Sequence, residues 1–232
     1  MPSHSVLPRA VIFDMDGVLI DSNPFHLQKW IDLLNAHGIP YNPDELPRQI
    51  LGQRNDHAFR YFFGPNLPDE ENQRLSEELE SIFRNTFGPH AQPLPGLRDL
   101  IMECHETGIP MAVASSAMRE NIEFVADALN FRPFFKFMVS GDDVTHPKPH
   151  PEIYLEAAKR LEVTPETCVG FEDSFVGIEA VKGAGMKCVA IASTFSAEDL
   201  QSQTRADRIV KSFEELNLHE LRRLFDGQVL PC

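Results

Sequence analysis

Ala10-Val11-Ile12-Phe13-Asp14-Met15-Asp16-Gly17-Val18-Leu19-Ile20-Asp21-Ser22 is the stretch whose reading decides the fold. The apolar run from Ala10 to Phe13 has no polar alternation, as expected of a strand buried on both faces of a parallel sheet. Asp14 and Asp16 then fall where the strand ends and the chain turns. Ligands of open α/β sheets bind at the carboxyl ends of strands. Residues two apart in an extended segment point to one side, so both carboxylates can face one crevice. Two such charges close together repel unless a cation bridges them or one takes a proton. The plainer alternative is an Asp-rich turn with Gly17 at positive φ.

Outward from this strand the chain alternates between helical and strand-like patterns. Helices are expected at Leu97 to Thr107, Glu120 to Leu129, Pro151 to Glu162, Phe175 to Gly183 and Phe213 to Phe225. Strands are expected at Met111 to Ala114, Phe137 to Val139, Cys168 to Phe171 and Lys187 to Ala192, with a possible edge strand at Arg208 to Val210. Regular alternation implies an α/β fold, a doubly wound parallel-sheet (Rossmann-like) core with right-handed crossovers.

Between the first strand and this series lies an all-helical insertion. Asn23 to Leu34 shows apolar residues at helical spacing, with Phe25, Trp30, Leu33 and Leu34 as its stripe and Gly38 as its stop. Pro47 to Phe63 reads as one or two short helices broken near Gly52. Pro68-Asp69-Glu70-Glu71 opens another, with acids in the first turn. Its apolar face is expected to be Leu75, Leu79, Ile82 and Phe83, with Glu70, Glu71, Glu77, Glu78 and Glu80 solvated. Gly88 to Pro95 reads as the return linker. The organisation expected is therefore core residues 1–22, a helical cap at 23–92 and the remaining core at 93–232.

The 232 residues can bury a substantial core. A net charge of −14 lacks the basic footprint of a nucleic-acid partner. Cys104, Cys168 and Cys188 sit in apolar surroundings without metal-ligand spacing and read as reduced core residues, with Cys232 at the end. Met1 to Pro8 lacks the pattern of a signal peptide, and no run approaches membrane-spanning length, so no membrane partner and a cytoplasmic setting are expected. A monomer or weak dimer is expected.

Three further strand ends carry chemistry. Ser115, followed by Ser116, offers a hydroxyl and free backbone N–H groups before a helix, an anion site or simply a cap. Lys148 lies in His146-Pro147-Lys148-Pro149-His150-Pro151, a stiff loop that could hold an ammonium in place or merely expose it. His146 and His150 read as loop residues, since no further ligand accompanies them. Glu172-Asp173 ends another strand and supplies hard oxygen ligands suited to Mg²⁺.

Phe13-Asp14-Met15-Asp16-Gly17-Val18, Ser115, Lys148-Pro149-His150-Pro151-Glu152-Ile153-Tyr154 and Glu172-Asp173 resemble, in order, the four motifs of the haloacid dehalogenase-like phosphatases and phosphomutases. The resemblance implies Asp14 as nucleophile, forming an aspartyl-phosphate, and Asp16 as general acid/base. It implies Ser115, Ser116 and Lys148 around the phosphoryl oxygens. Mg²⁺ would be held by Asp14, Asp173 and the main-chain carbonyl of Asp16, with Glu172 nearby. Dehalogenase activity fits less well, because Asp16 and the acidic pair suit phosphate and metal.

The cap separates phosphatase from mutase. Asp21-Ser22-Asn23-Pro24-Phe25-His26 with Trp30 resembles the β-phosphoglucomutase branch, in which the corresponding histidine couples cap closure to acid/base alignment. His26 and Trp30 are four apart and share a helix face, so His26 is a candidate site residue as well as a structural one. Gly52-Gln53-Arg54 is one residue shorter than the mutase turn, leaving Arg54 as the counterpart of a cap arginine. The acid-rich helix around Glu77 offers no second cap lysine. Fewer cap cations favour a phosphatase acting on a small phosphorylated metabolite, with a phosphomutase as the alternative. A non-catalytic phosphate-binding module is a third reading, opposed by the intact Asp14, Asp16, Lys148 and Asp173.

Overall fold

The structure is a computed structural model, which describes residues 7–87 and 91–226. Six parallel strands are ordered β3-β2-β1-β4-β5-β6: β1 Ala10–Phe13, β2 Met111–Ala114, β3 Phe135–Val139, β4 Cys168–Glu172, β5 Lys187–Ile191 and β6 Arg208–Val210. The chain builds outward from β1 through β2 to β3, then crosses back to lay β4 on the other flank of β1. The register Phe13↔Phe171 and Phe13↔Val113 aligns the ends of three strands. Their carboxyl ends therefore meet at the topological switch point, where such sheets bind ligands.

β1 is buried on both faces because alternate residues enter different cores. Val11 and Phe13 pack with α5 (Leu97–Glu106), α6 (Arg119–Ala128) and α10 (Leu218–Arg223). Ala10 and Ile12 pack with α7 (Glu152–Arg160), α8 (Phe175–Gly183) and α9 (Ala197–Gln203). Phe13 stacks on Phe171 at 5.0 Å between centroids, and Phe213 closes on both rings. Cys104, Cys168 and Cys188 are buried free thiols, and burial pushes those of Cys104 and Cys168 up to about 12. Cys232 lies outside the described residues.

The α/β core with an inserted helical layer agrees with the sequence reading. The insertion comprises α1 (Asn23–Ala36), α2 (Leu46–Ile50), α3 (Asn55–Phe63) and α4 (Asp69–Thr86). It has its own core, in which Trp30, Leu34, Leu46, Phe59, Leu75 and Leu79 meet. The return linker is only partly described, since residues 88–90 fall outside; beyond them Leu94 N–H donates to the Leu19 carbonyl.

Three expectations need correction, and one helix lies where none was expected. On α4, Ile82 is exposed and Glu80 is buried, because the inward stripe runs Asn72, Leu75, Ser76, Leu79, Glu80 and Phe83. The stretch from Phe213 is not one helix: a 3₁₀ turn ends at Glu215, and Asn217 caps α10 by accepting the Glu220 N–H at 3.0 Å. β3 begins two residues early, after a short 3₁₀ turn through Pro133. The helix α9 was unforeseen, although Ser196 and Asp199 form a capping signal, with the serine hydroxyl accepting the Asp199 N–H at 3.0 Å.

Phe13→Ala should destabilise the fold by about 3–5 kcal/mol, since it empties the centre of the aromatic stack. Leu155→Ala, at an exposed position, should stay within about 0.5 kcal/mol. Urea unfolding of both variants checks the difference, and equal losses would contradict this packing.

Candidate active site

The loop after β1 turns so tightly that its carboxylates stay at the strand end. Leu19 N–H donates to the Met15 carbonyl at 2.8 Å and Gly17 N–H to the Ile20 carbonyl at 2.7 Å. Gly17 has φ +75°, and a Cβ there would lie 2.0 Å from Asp173 Oδ2. Glycine is thus required twice, by the turn and by the close approach of β4.

Lys148 stands at the centre of the site. It is 2% exposed, which removes the reading as a solvent-facing loop lysine. Its ammonium donates to Asp14 Oδ1 at 2.8 Å and to Glu172 Oε1 at 2.6 Å. Burial alone would depress the Lys148 pKa, but the charges of Asp14 and Glu172 outweigh it and raise it. Tyr154 donates its hydroxyl to the same Glu172 oxygen at 2.8 Å. The other, Oε2, accepts the backbone N–H groups of Asp173 and Ser174 and the Ser174 hydroxyl. Gly177 makes this possible, since a Cβ there would lie 1.9 Å from Glu172 Oε1.

Asp14, Glu172 and Asp173 each bring a carboxylate oxygen within 4.8 Å of the others. One lysine cannot balance three buried acids. Burial chiefly, with the neighbouring Glu172 charge, raises Asp14 to about 7 despite Lys148. Burial and the charges of Glu172 and Asp14 raise Asp173 well above the carboxylate range. Asp173 is held by Asn23 Nδ2 at 2.7 Å and by the Thr194 hydroxyl. Asp14 and Asp173 thus form a hard-oxygen donor set carrying excess negative charge, which suits a divalent cation. Glu172, expected beside the metal, has both oxygens engaged by protein donors, so its visible work is to hold Lys148 and the Asp173 backbone.

Asp16, on the same loop, meets His26 of α1 in the helical layer. It accepts hydrogen bonds from the Ser22 hydroxyl and is 3.1 Å from His26 Nε2. Burial would raise its pKa, but the His26 charge and the bonds from His26 and Ser22 prevail and lower it. His26 stacks on Phe83 at 4.7 Å, fixing its ring.

A cleft of about 500 Å³ separates core from helical layer and is lined by Asp14, Asp16, His26, Ser115, Asn72 and Glu80 among others. Two predicted residues have different contacts from those expected. Ser116 donates its hydroxyl to the Gly52 carbonyl at 2.9 Å, joining the layers rather than opening toward an anion. Gly52 itself, at φ +77°, comes so near α8 that a Cβ would lie 2.4 Å from the Ser174 hydroxyl. Arg54 grips Asp56 through Nε and Nη2 at 2.9 and 2.7 Å, and its Nη1 donates to the Gly141 and Val144 carbonyls at 3.2 Å. It is a bridge, not a free cation. Thr194 escaped the sequence reading because it carries no motif; its signal is its place just beyond β5, neighbour to β4.

The haloacid dehalogenase-like hydrolase family model matches residues 11–191. The chain is 31% identical over 216 residues to a chloroplastic 5-amino-6-(5-phospho-D-ribitylamino)uracil phosphatase of Arabidopsis thaliana, covering 93% of this chain and 57% of that one. It is 33% identical to hexitol phosphatase B of Escherichia coli K12, covering 91% and 96%. A crystal structure of β-phosphoglucomutase from Clostridium difficile superposes with a TM-score of 0.81 at 27% identity, covering 95% and 98%.

The raised Asp14 pKa has a sign for stability. Folded Asp14 holds its proton more tightly than unfolded Asp14, so in metal-free buffer its contribution is lost as pH rises from about 4 to about 7. Asp14→Asn should therefore gain on the wild type across that window and hold its advantage above it. Urea midpoints at pH 4.5, 6 and 8 with chelator check this; a constant gap would contradict it.

Proposed function

The chain belongs to the haloacid dehalogenase-like hydrolase family, and from that premise we propose a Mg²⁺-dependent phosphatase acting on a small phosphorylated metabolite with a neutral, hydroxylated leaving group. The observation that carries this reading is the Lys148–Asp14 contact at 2.8 Å, buried at the sheet's switch point. Lys148 occupies one oxygen of Asp14 and leaves the other to attack phosphorus in line, forming an aspartyl-phosphate. Lys148, the Ser115 hydroxyl and the backbone N–H groups leading into α6 hold the phosphoryl oxygens, where charge neutralisation matters most. Asp14, Asp173 and the Asp16 carbonyl would hold Mg²⁺, which when bound offsets the repulsion between carboxylate and phosphate ester.

Asp16 is the proton carrier of this scheme. Its lowered pKa suits the second half-reaction, in which it takes a proton from the attacking water. In the first half-reaction it delivers a proton to the leaving oxygen, and His26 at 3.1 Å orients its carboxylate.

The cleft's charge pattern supports the leaving-group class. Among the described residues, the arginine and lysine side chains lining it are Arg54 and Arg60. Arg54 is committed as above, and Arg60 pairs with Asp56 and Asp69. Asp56, Asp69 and Glu80 share this wall and would repel a second phosphate. Asn72 offers its place instead: it is 2% exposed, and among the described residues its Oδ1 accepts no hydrogen bond while Nδ2 donates to the Asp56 carbonyl at 3.0 Å. A substrate hydroxyl satisfies such an orphaned acceptor. The second reading, a phosphomutase, draws on the β-phosphoglucomutase likeness and the His26–Asp16 contact.

Phosphate release from a panel of sugar and polyol monophosphates tests the proposal. Activity should vanish with chelator and fall by at least roughly 10³-fold in Asp14→Asn; full activity of that variant would overturn the reading. Isomerisation of β-glucose 1-phosphate without matching phosphate release would favour the mutase. Asn72→Leu should raise KM for the preferred polyol ester by roughly tenfold, about 1.4 kcal/mol, and leave p-nitrophenyl phosphate hydrolysis nearly unchanged. Equal effects on both substrates would contradict a hydroxyl contact at Asn72.

A further inference from the structure

We propose that His146, His150 and Glu152 form a second metal site, for a first-row transition ion of the Zn²⁺ or Ni²⁺ class, on the loop that carries Lys148. In sequence the two histidines lacked a third ligand; the turn into α7 supplies it. Glu152 Oε2 is 2.7 Å from His146 Nδ1 and 3.9 Å from His150 Nδ1. One donor atom from each residue lies within 4.8 Å of the other two. Metal–ligand bonds of about 2.0–2.1 Å need donor separations of roughly 3–3.5 Å, a range that these distances bracket.

The loop is already organised around Glu152. The carboxylate accepts the Thr145 and His146 backbone N–H groups, each at 3.0 Å. His150 N–H donates to the Pro147 carbonyl at 3.0 Å, and the two imidazole rings face each other at 4.6 Å. An ion takes the place of the contact between His146 Nδ1 and Oε2. It also displaces the long bond, 3.3 Å, from Glu152 N–H to His150 Nδ1. His146 and His150 side chains are 61% and 51% exposed, so water can complete the coordination.

Ligand chemistry separates this site from the buried acids. Imidazole suits Zn²⁺, Ni²⁺ and Cu²⁺, whereas carboxylate and carbonyl oxygens suit Mg²⁺. The two histidines also bracket Lys148, two residues from each, so an ion joining them fixes both ends of the segment that presents the ammonium to Asp14.

Calorimetric titration of Zn²⁺ into the full chain, in saturating Mg²⁺, tests the site. Wild type should bind one Zn²⁺, and His146→Gln/His150→Gln should weaken that binding by roughly tenfold or more while phosphatase activity without zinc stays unchanged. Asp173→Asn should leave the zinc isotherm intact. Histidine side-chain NMR signals of the folded wild type should shift at one equivalent, a readout independent of any variant's folding. No zinc heat in the wild type, or an isotherm lost in Asp173→Asn and kept in the double variant, would overturn the proposal.

Discussion

Three buried carboxylates around a single ammonium are the constraint on which the rest of this structure depends. Removing a charge from water costs several kcal/mol per ion unless partners compensate, and of the three carboxylates Lys148 bonds those of Asp14 and Glu172. The remaining excess charge shows as the raised pKa values of Asp14 and Asp173. Such a cluster persists only on a scaffold rigid enough to hold it, and the β1–β4 pairing with its stacked Phe13 and Phe171 provides one. Glu172, Tyr154 and Ser174 then fix the direction of the lysine, while Asn23 and Thr194 fix Asp173. The electrostatic tension stays available for a cation and a phosphoryl group to relieve.

The helical layer meets the core through Phe83, buried in the core's apolar cluster with Phe25 against it, and through several polar contacts. Ser116 to Gly52, Arg54 to Gly141 and Val144, and Asn121 to Glu80 each join one layer to the other. Glu80 also accepts from Asn55 at 2.5 Å, so one buried acid gathers donors from both layers. Asp16 and His26 both line the cleft at this boundary.

The strand ends were legible in the sequence because a doubly buried strand leaves an unbroken apolar run and then a polar residue. Asp14, Ser115 and Glu172-Asp173 were found that way, and the stiff prolines around Lys148 marked its loop. The insertion was harder. Helical periodicity marked α4, but it did not reveal that Asn72, Ser76 and Glu80 face inward, since polar residues on the inner stripe look solvated until a cleft is known to lie there. Arg54 looked like a free cation because its partners are Asp56, two residues on, and two backbone carbonyls about ninety residues away. Thr194 belongs to no motif, and the third ligand beside His146 and His150 became visible only with the turn that brings Glu152 round.

Binding of a planar phosphoryl mimic, aluminium fluoride in the presence of Mg²⁺, tests the Lys148-centred cage most directly. It should be measured by ¹⁹F NMR and calorimetry on wild type and on Lys148→Met, a replacement of similar bulk without charge, with near-UV circular dichroism reporting the fold. The wild type should bind the mimic only with Mg²⁺ present. The folded variant should bind it at least roughly 10²-fold more weakly, as loss of a preorganised donor to a transition state implies. Equal affinity in the folded Lys148→Met protein would contradict the assignment of Lys148 to the phosphoryl cage.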